Sequence, residues 1–263
     1  MRTLIATALF ILAGTACAMA ASDDLTIVSK ITHNGKDAGT STSYLSSDRV
    51  RMAQADGNAM MVDAQTGVMT MIDGKKKTYY TITKQDMQQM GAKVAAMMND
   101  PKMQQGMQMM QNMSGAMAKS YEVKDTGVTR KIAGFSCEEW TITMAGMSTT
   151  RECRTTALQY PARAMDAFKE YSESMRSAMS AFGPMAKAGA DLAEKRKAMK
   201  GFSIATSSTT EIMGMKVSEA TEVVEVRRGS IPASAWEIPA GYTKVENPML
   251  KMLDRQGRGR QTG

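Results

Sequence analysis

Between Lys84 and Ser120 the chain holds ten of its 28 methionines and not one Leu, Ile or aromatic residue. Any apolar surface made from that stretch must therefore be made largely of thioethers. Methionine is unbranched and polarizable, so such a face adapts to irregular apolar partners instead of fixing one packing. The same sulfurs are soft ligands that suit Cu(I). Two functional directions follow, a pliable apolar binding surface or a metal site.

The spacing within the run is helical. Met87, Met90, Val94 and Met97 recur at three, four and three residues, which puts them on one helix face. Asp100-Pro101 ends that helix and opens the next, with Asp100 as cap and Pro101 at the first helical position. Met103, Met107, Met110 and Met117 then share a face that Met109 and Met113 widen. A second helical stretch is expected over 161–200, with Met165, Phe168, Met175, Met179 and Phe182 along one side and a break at Gly183-Pro184. These twelve positions, Met87, Met90, Met97, Met103, Met107, Met110 and Met117 in the first insert and the five in the second, are the candidate ligand-binding residues.

Around the two inserts, at about 84–119 and 161–200, the pattern is β. Leu25 to Ile31 reads as a strand ending in a turn at Asn34-Gly35, and Thr40 to Met52 as one long Ser/Thr-rich strand. Ala59 to Asp63 and Val68 to Ile72 flank a turn at Thr66-Gly67, a hairpin signal. Asp73-Gly74 reverses the chain again before Lys77 to Ile82, a dipeptide that tolerates positive φ. Strands are expected again over Tyr121 to Arg154, Phe202 to Met213 and Met215 to Val226, with Ile231 to Val245 closing the fold. The expected class is mainly β (α+β): an antiparallel sheet of ten or eleven strands whose open face the inserts cover, because a sheet with one wet face must bury the other.

The N-terminus has the form of an export signal. Arg2 precedes an apolar core from Leu4 to Ala13, and Ala18-Met19-Ala20 supplies an A-x-A cleavage site. That core is too short to span a bilayer, and no later segment is apolar over a sufficient length. Cys17 raises lipid anchoring, but a lipobox wants an apolar residue where Gly14 stands, so soluble export to the periplasm is favoured. The expected organisation is a signal peptide at 1–20, a single β domain at 21–246 and a flexible basic tail at 247–263.

The net charge of +7 is spread along the chain, apart from Lys75-Lys76-Lys77, Lys195-Arg196-Lys197 and the tail from Arg255 to Arg260. Solvated faces and a frayed terminus account for most of it, with contact to an anionic membrane surface second. No aromatic-basic interleaving points to nucleic acid. Cys137 and Cys153 are symmetric about Ala145, and a hairpin turning there brings them opposite each other. In an oxidising compartment a disulfide is the natural inference, with two separate buried thiols as the alternative.

Several motifs together resemble a bacterial family known as domain of unknown function 4412. They are Asp48-Arg49-Val50-Arg51-Met52, Asp63-Ala64-Gln65-Thr66-Gly67 leading to Met71-Ile72-Asp73 and Lys77-Thr78-Tyr79, Arg130 to Glu138, and Trp236-Glu237-Ile238-Pro239-Ala240-Gly241-Tyr242. The resemblance implies a fold similar to the outer-membrane lipoprotein carriers (LolA-like), a half-open β-barrel lidded by helices over an apolar cavity. It carries no catalytic or ligand residues across. The inserts here are longer and richer in Met than those of the carriers.

Three readings of function are weighed on these residues. The first is an envelope protein binding a lipid, an acyl chain or a protein partner through a Met-lined cavity or lid, with methionines that only fill the core as its structural alternative. The second is Cu(I) binding through Met87-x-x-Met90, Met103-x-x-x-Met107 and Met109-Met110-x-x-Met113-x-x-x-Met117. The third, an enzyme, is disfavoured: His33 is the single histidine, and no HExxH, GxSxG or phosphate loop occurs. Glu138 and Glu139, adjacent on a strand, point to opposite faces. No cofactor is called for.

Overall fold

The computed structural model describes residues 24–98, 121–144, 148–159, 191–212 and 214–258. They form one open sheet of twelve strands. β1 (Leu25–His33), β2 (Lys36–Leu45), β3 (Arg49–Gln54), β4 (Ala59–Asp63), β5 (Val68–Asp73) and β6 (Thr78–Ile82) run as an antiparallel meander. β7 (Tyr121–Ile132), β8 (Phe135–Met144), β9 (Ser148–Thr155), β10 (Phe202–Ile212) and β11 (Met215–Arg228) form a second one. The halves join where β1 pairs with β11. β12 (Thr243–Lys244) adds a short parallel edge to β6, giving the order 12-6-5-4-3-2-1-11-10-9-8-7. The mainly β expectation holds, with twelve strands in place of ten or eleven.

The turns show why the chain reverses where it does. Asn34 and Gly35 both have positive φ (49° and 73°), the two-residue hairpin geometry whose twist matches the flanking strands. Asp73-Gly74 works differently from the expectation. Gly74 does not have positive φ; Lys77 takes the left-handed position, at 52°. What Gly74 supplies is space, since a Cβ there would lie 2.4 Å from the Gly57 carbonyl carbon. Two neighbouring turns pack backbone against backbone.

The long strand expected over Thr40 to Met52 is two strands. Ser46 Oγ donates to Asp48 Oδ1 at 2.8 Å and accepts from the Arg49 N–H at 2.9 Å. Short polar side chains that bond to nearby backbone compete with the ladder and turn the chain. The closing segment ends in the edge strand β12. Ile231 to Val245 is mostly irregular, with a 3-10 turn at Ala233–Trp236 before β12.

Of the first insert, Lys84–Met98 is helix α1. Its start is a reciprocal cap: Asp86 N donates to Thr83 Oγ1 at 3.1 Å, and Thr83 N donates to Asp86 Oδ2 at 2.7 Å. Residues 99–120 and 160–190 lie outside the described residues, and so do most of both inserts; residues 191–196 are helical. The tail expected to be flexible is helix α2 (Pro248–Arg258). Asn247 caps it through a 3.0 Å bond from Met249 N, and Pro248 takes the first helical position.

Two apolar clusters hold the molecule. One gathers Leu25, Ile27, Leu45 and Val50 with Phe202, Ile204, Val223 and the two cysteines. Cys137 and Cys153 are bonded to each other, with Cα atoms 5.4 Å apart. The register differs from the symmetric expectation. β8 and β9 pair Met144 with Ser148 and Glu139 with Cys153, so the cysteines sit diagonally across the hairpin, not opposite. A diagonal pair on one face still lies within the usual Cα separation for a disulfide. The second cluster lies under α1 and contains the methionine layer.

Candidate functional site

Strand register builds the floor of that layer. Val62 stands opposite Met69, and Met69 opposite Ile82; one step along, Met60 stands opposite Met71, and Met71 opposite Tyr80. Because pairs two residues apart share a face, these side chains form one cross-strand patch. The Thr83 cap begins α1 immediately after β6, and Met87, Met90 and Val94 pack onto the patch. α2 closes it with Leu250 and Leu253, and its Asp254 is ion-paired with Lys93 of α1. Thioethers from sheet and helix thus form one continuous apolar layer.

Two of the sequence-derived candidates come together here: Met90 is buried at 8% exposure and Met87 is half-buried. Met97 belongs to α1, but its side chain lies outside the described residues, as do Met103, Met107, Met110, Met117, Met165, Phe168, Met175, Met179 and Phe182. Met90 and Met69 share the cluster and are both buried. His33 ends β1 as an exposed residue paired with Lys36. Among the described residues no three of His, Cys, Asp and Glu converge on a point that could hold a metal.

A second place was not singled out from sequence. Arg51 Nη1 donates to the carbonyls of Ala235 at 2.8 Å and Glu237 at 2.7 Å, pinning the closing segment to β3. Its Nε is buried with no hydrogen-bond partner. The Arg49 guanidinium lies 5.1 Å over the Trp236 ring, and Tyr44 meets the same ring edge-on at 6.3 Å. Beside them opens a cleft of about 510 Å³ lined by Asp24, Ser46, Asp48, Arg49, Ile231 and Trp236 among others. The signal was present in the sequence, because Arg49-Val50-Arg51 and Trp236-Glu237 both belong to the motifs behind the family resemblance. What was missing was any way to see that segments about 185 residues apart meet.

A third feature follows from sheet curvature. Arg130 of β7 pairs with Glu222 of β11 at 3.3 Å, although three strands separate them in the sheet order. At about 4.8 Å per strand a flat sheet would hold those strands roughly 19 Å apart, so this end of the sheet rolls up. The roll encloses a groove of about 280 Å³ with Arg130, Glu139, Arg151 and Glu222 on its walls. This concavity is charged. Among the described residues two carboxyls sit below their ordinary range, one near the start of β2 and one at the end of β5, away from these sites. The Gly39 N–H and then Lys30 lower Asp37, and the Lys76 N–H and ammonium lower Asp73.

The family model described as a domain of unknown function (DUF4412) matches residues 26–242. No curated protein matches the sequence. Among solved structures, an uncharacterized conserved protein from Thermus thermophilus is similar at 7% identity and a TM-score of 0.43, covering 86% of this chain and 91% of that one. PNGF-II is similar at 13% identity and a TM-score of 0.40, covering 88% of this chain. The Pseudomonas aeruginosa MucA/MucB complex is similar at 12% identity and a TM-score of 0.39, covering 83%. The chain spans only 32% of the PNGF-II chain and 56% of the MucA/MucB one. With TM-scores below 0.5, none of these likenesses bears on activity, ligand or partner.

Proposed function

As the chain belongs to the DUF4412 family, which is defined without an activity, we propose that it is an exported envelope protein that binds an apolar ligand, a lipid or acyl chain, at its helix-covered methionine layer. One observation carries the reading. Met60, Met69 and Met71 of the sheet and Met87 and Met90 of α1 belong to a single cluster. A layer of unbranched, rotatable side chains can part and repack around an acyl chain at low cost, whereas a Leu/Ile core would resist it. The signal-like N-terminus supports export to the periplasm. Binding is the role this layer fits, because its described side chains are aliphatic or thioether groups apart from the Tyr80 ring.

The test is native mass spectrometry of protein purified from its own periplasm without detergent. An adduct of lipid mass is the expected result. A clean apo mass, together with no saturable binding of a fluorescent lipid, overturns the reading and leaves the methionines as core filling, with a protein partner as the remaining route. The same cluster of thioethers is a soft donor set, which keeps Cu(I) as a second reading. Substituting Met87→Leu and Met90→Leu separates the two: lipid binding survives a hydrophobe of similar size, while competition with a Cu(I) chelator disappears if these sulfurs hold the metal.

A further inference from the structure

α2 is anchored along one side. Leu250 and Leu253 enter the methionine layer, and Asp254 is paired with Lys93. At 3.6 residues per turn those positions define an inner face, and Met249, Met252, Lys251 and Arg255 fall on the outer one. Exposure agrees with the geometry. Met249 is 46% and Met252 51% exposed, and Lys251 and Arg255 are exposed beside them. Val245 and Lys244, just before the helix in the chain, are both exposed. Between 243 and 255 the carboxylates are Glu246 and Asp254, and Lys93 already neutralises the second. The outer face is therefore apolar in part and net cationic.

We infer that the outer face of α2 docks the protein on an anionic phospholipid surface. Met249 and Met252 enter the headgroup boundary while Lys251 and Arg255 meet lipid phosphates, the division of labour of an interfacial amphipathic helix. Two thioethers and a valine are far less apolar surface than the roughly 800 Å² per partner of a stable protein interface. They suffice for reversible surface binding that charge reinforces. The inference concerns the outside of α2 and does not depend on what the methionine layer beneath it holds.

The full chain is sedimented with phosphatidylcholine vesicles, with and without phosphatidylglycerol. Binding only to the anionic vesicles, weakening as salt rises, is expected. The pair Lys251→Glu and Arg255→Glu should lower the bound fraction at least about tenfold, and Met249→Gln with Met252→Gln should lower it at low salt with the net charge unchanged. All four positions are exposed, so an unaltered far-UV spectrum serves as the folding control. Equal binding to neutral vesicles, no binding to either, or binding indifferent to the charge reversal overturns the inference. So does vesicle-free dimerisation abolished by the same substitutions, which would assign the face to a second copy. The charge-reversed protein should keep any lipid adduct in its native mass, so failure of surface docking and failure of ligand binding are read separately.

Discussion

Glu152 faces the protein interior as a charged side chain, exposed by only 5%, and its two oxygens are taken by separate arginines. Arg154 Nη1 lies 2.7 Å from Oε2, and Arg196 Nη2 lies 2.5 Å from Oε1. Through Arg196 the segment around 191–199 is clasped to β9, and Lys195 Nζ ties it to β7 by donating to the Tyr121 carbonyl at 2.7 Å. Removing one partner of a buried ion pair strands the others, at a cost of about 3–5 kcal/mol. Arg196 is nearly half exposed, so Glu152→Ala should fall at the low end of that range. Urea unfolding should show the shift, while Glu225→Ala, which removes an exposed pair with Arg227, should move stability by less than about 1 kcal/mol. Nothing in the local sequence around Glu152 marks it as buried. Its burial depends on a residue 44 positions away.

At the scale of elements, α2 carries a signal that is legible in the sequence and that composition obscures. Asn247-Pro248 has the same cap-then-proline form as Asp100-Pro101, which predicts a helix. Met249, Leu250, Met252 and Leu253 follow at helical spacing. The basic composition outweighs the pattern when the segment is read as a tail. Asn247→Ala should cost about 1 kcal/mol of helix stability through the lost bond to the Met249 N–H. Hydrogen exchange should show faster exchange confined to α2, since its packed leucines and the Lys93–Asp254 pair are what it shares with the rest. Protection that is unchanged in α2 would mean that packing alone holds the helix. The split of β2 from β3 escapes the sequence for a related reason: the Ser/Thr-rich pattern runs on across the break, but Ser46 ends the strand by accepting from the Arg49 N–H while its hydroxyl donates to Asp48.

For the molecule as a whole, the bond between Cys137 and Cys153 staples the hairpin in the half of the sheet that rolls. Closing a loop of that size contributes about 3 kcal/mol in the chain-entropy model. Intact mass of the exported protein should be 2 Da below the reduced value, and Cys137→Ser with Cys153→Ser should lower the unfolding midpoint accordingly. An unshifted mass would leave two separate thiols.

The sequence alone was enough for what local chemistry controls: the strands at Ala59–Asp63 and Val68–Ile72, the Asn34-Gly35 reversal, the face of α1 and the family. The family rests on its ordered motifs, and the others follow from periodicity or from the turn chemistry of a few adjacent residues. The tertiary structure alone decided which surfaces meet. It joined β1 to β11, rolled β7 toward β11 until Arg130 reached Glu222, and brought Arg51 under the Trp236 segment. It also gave α2 an inner and an outer face. Those outcomes depend on sheet twist and on contacts between residues far apart in the chain, and no local pattern encodes either.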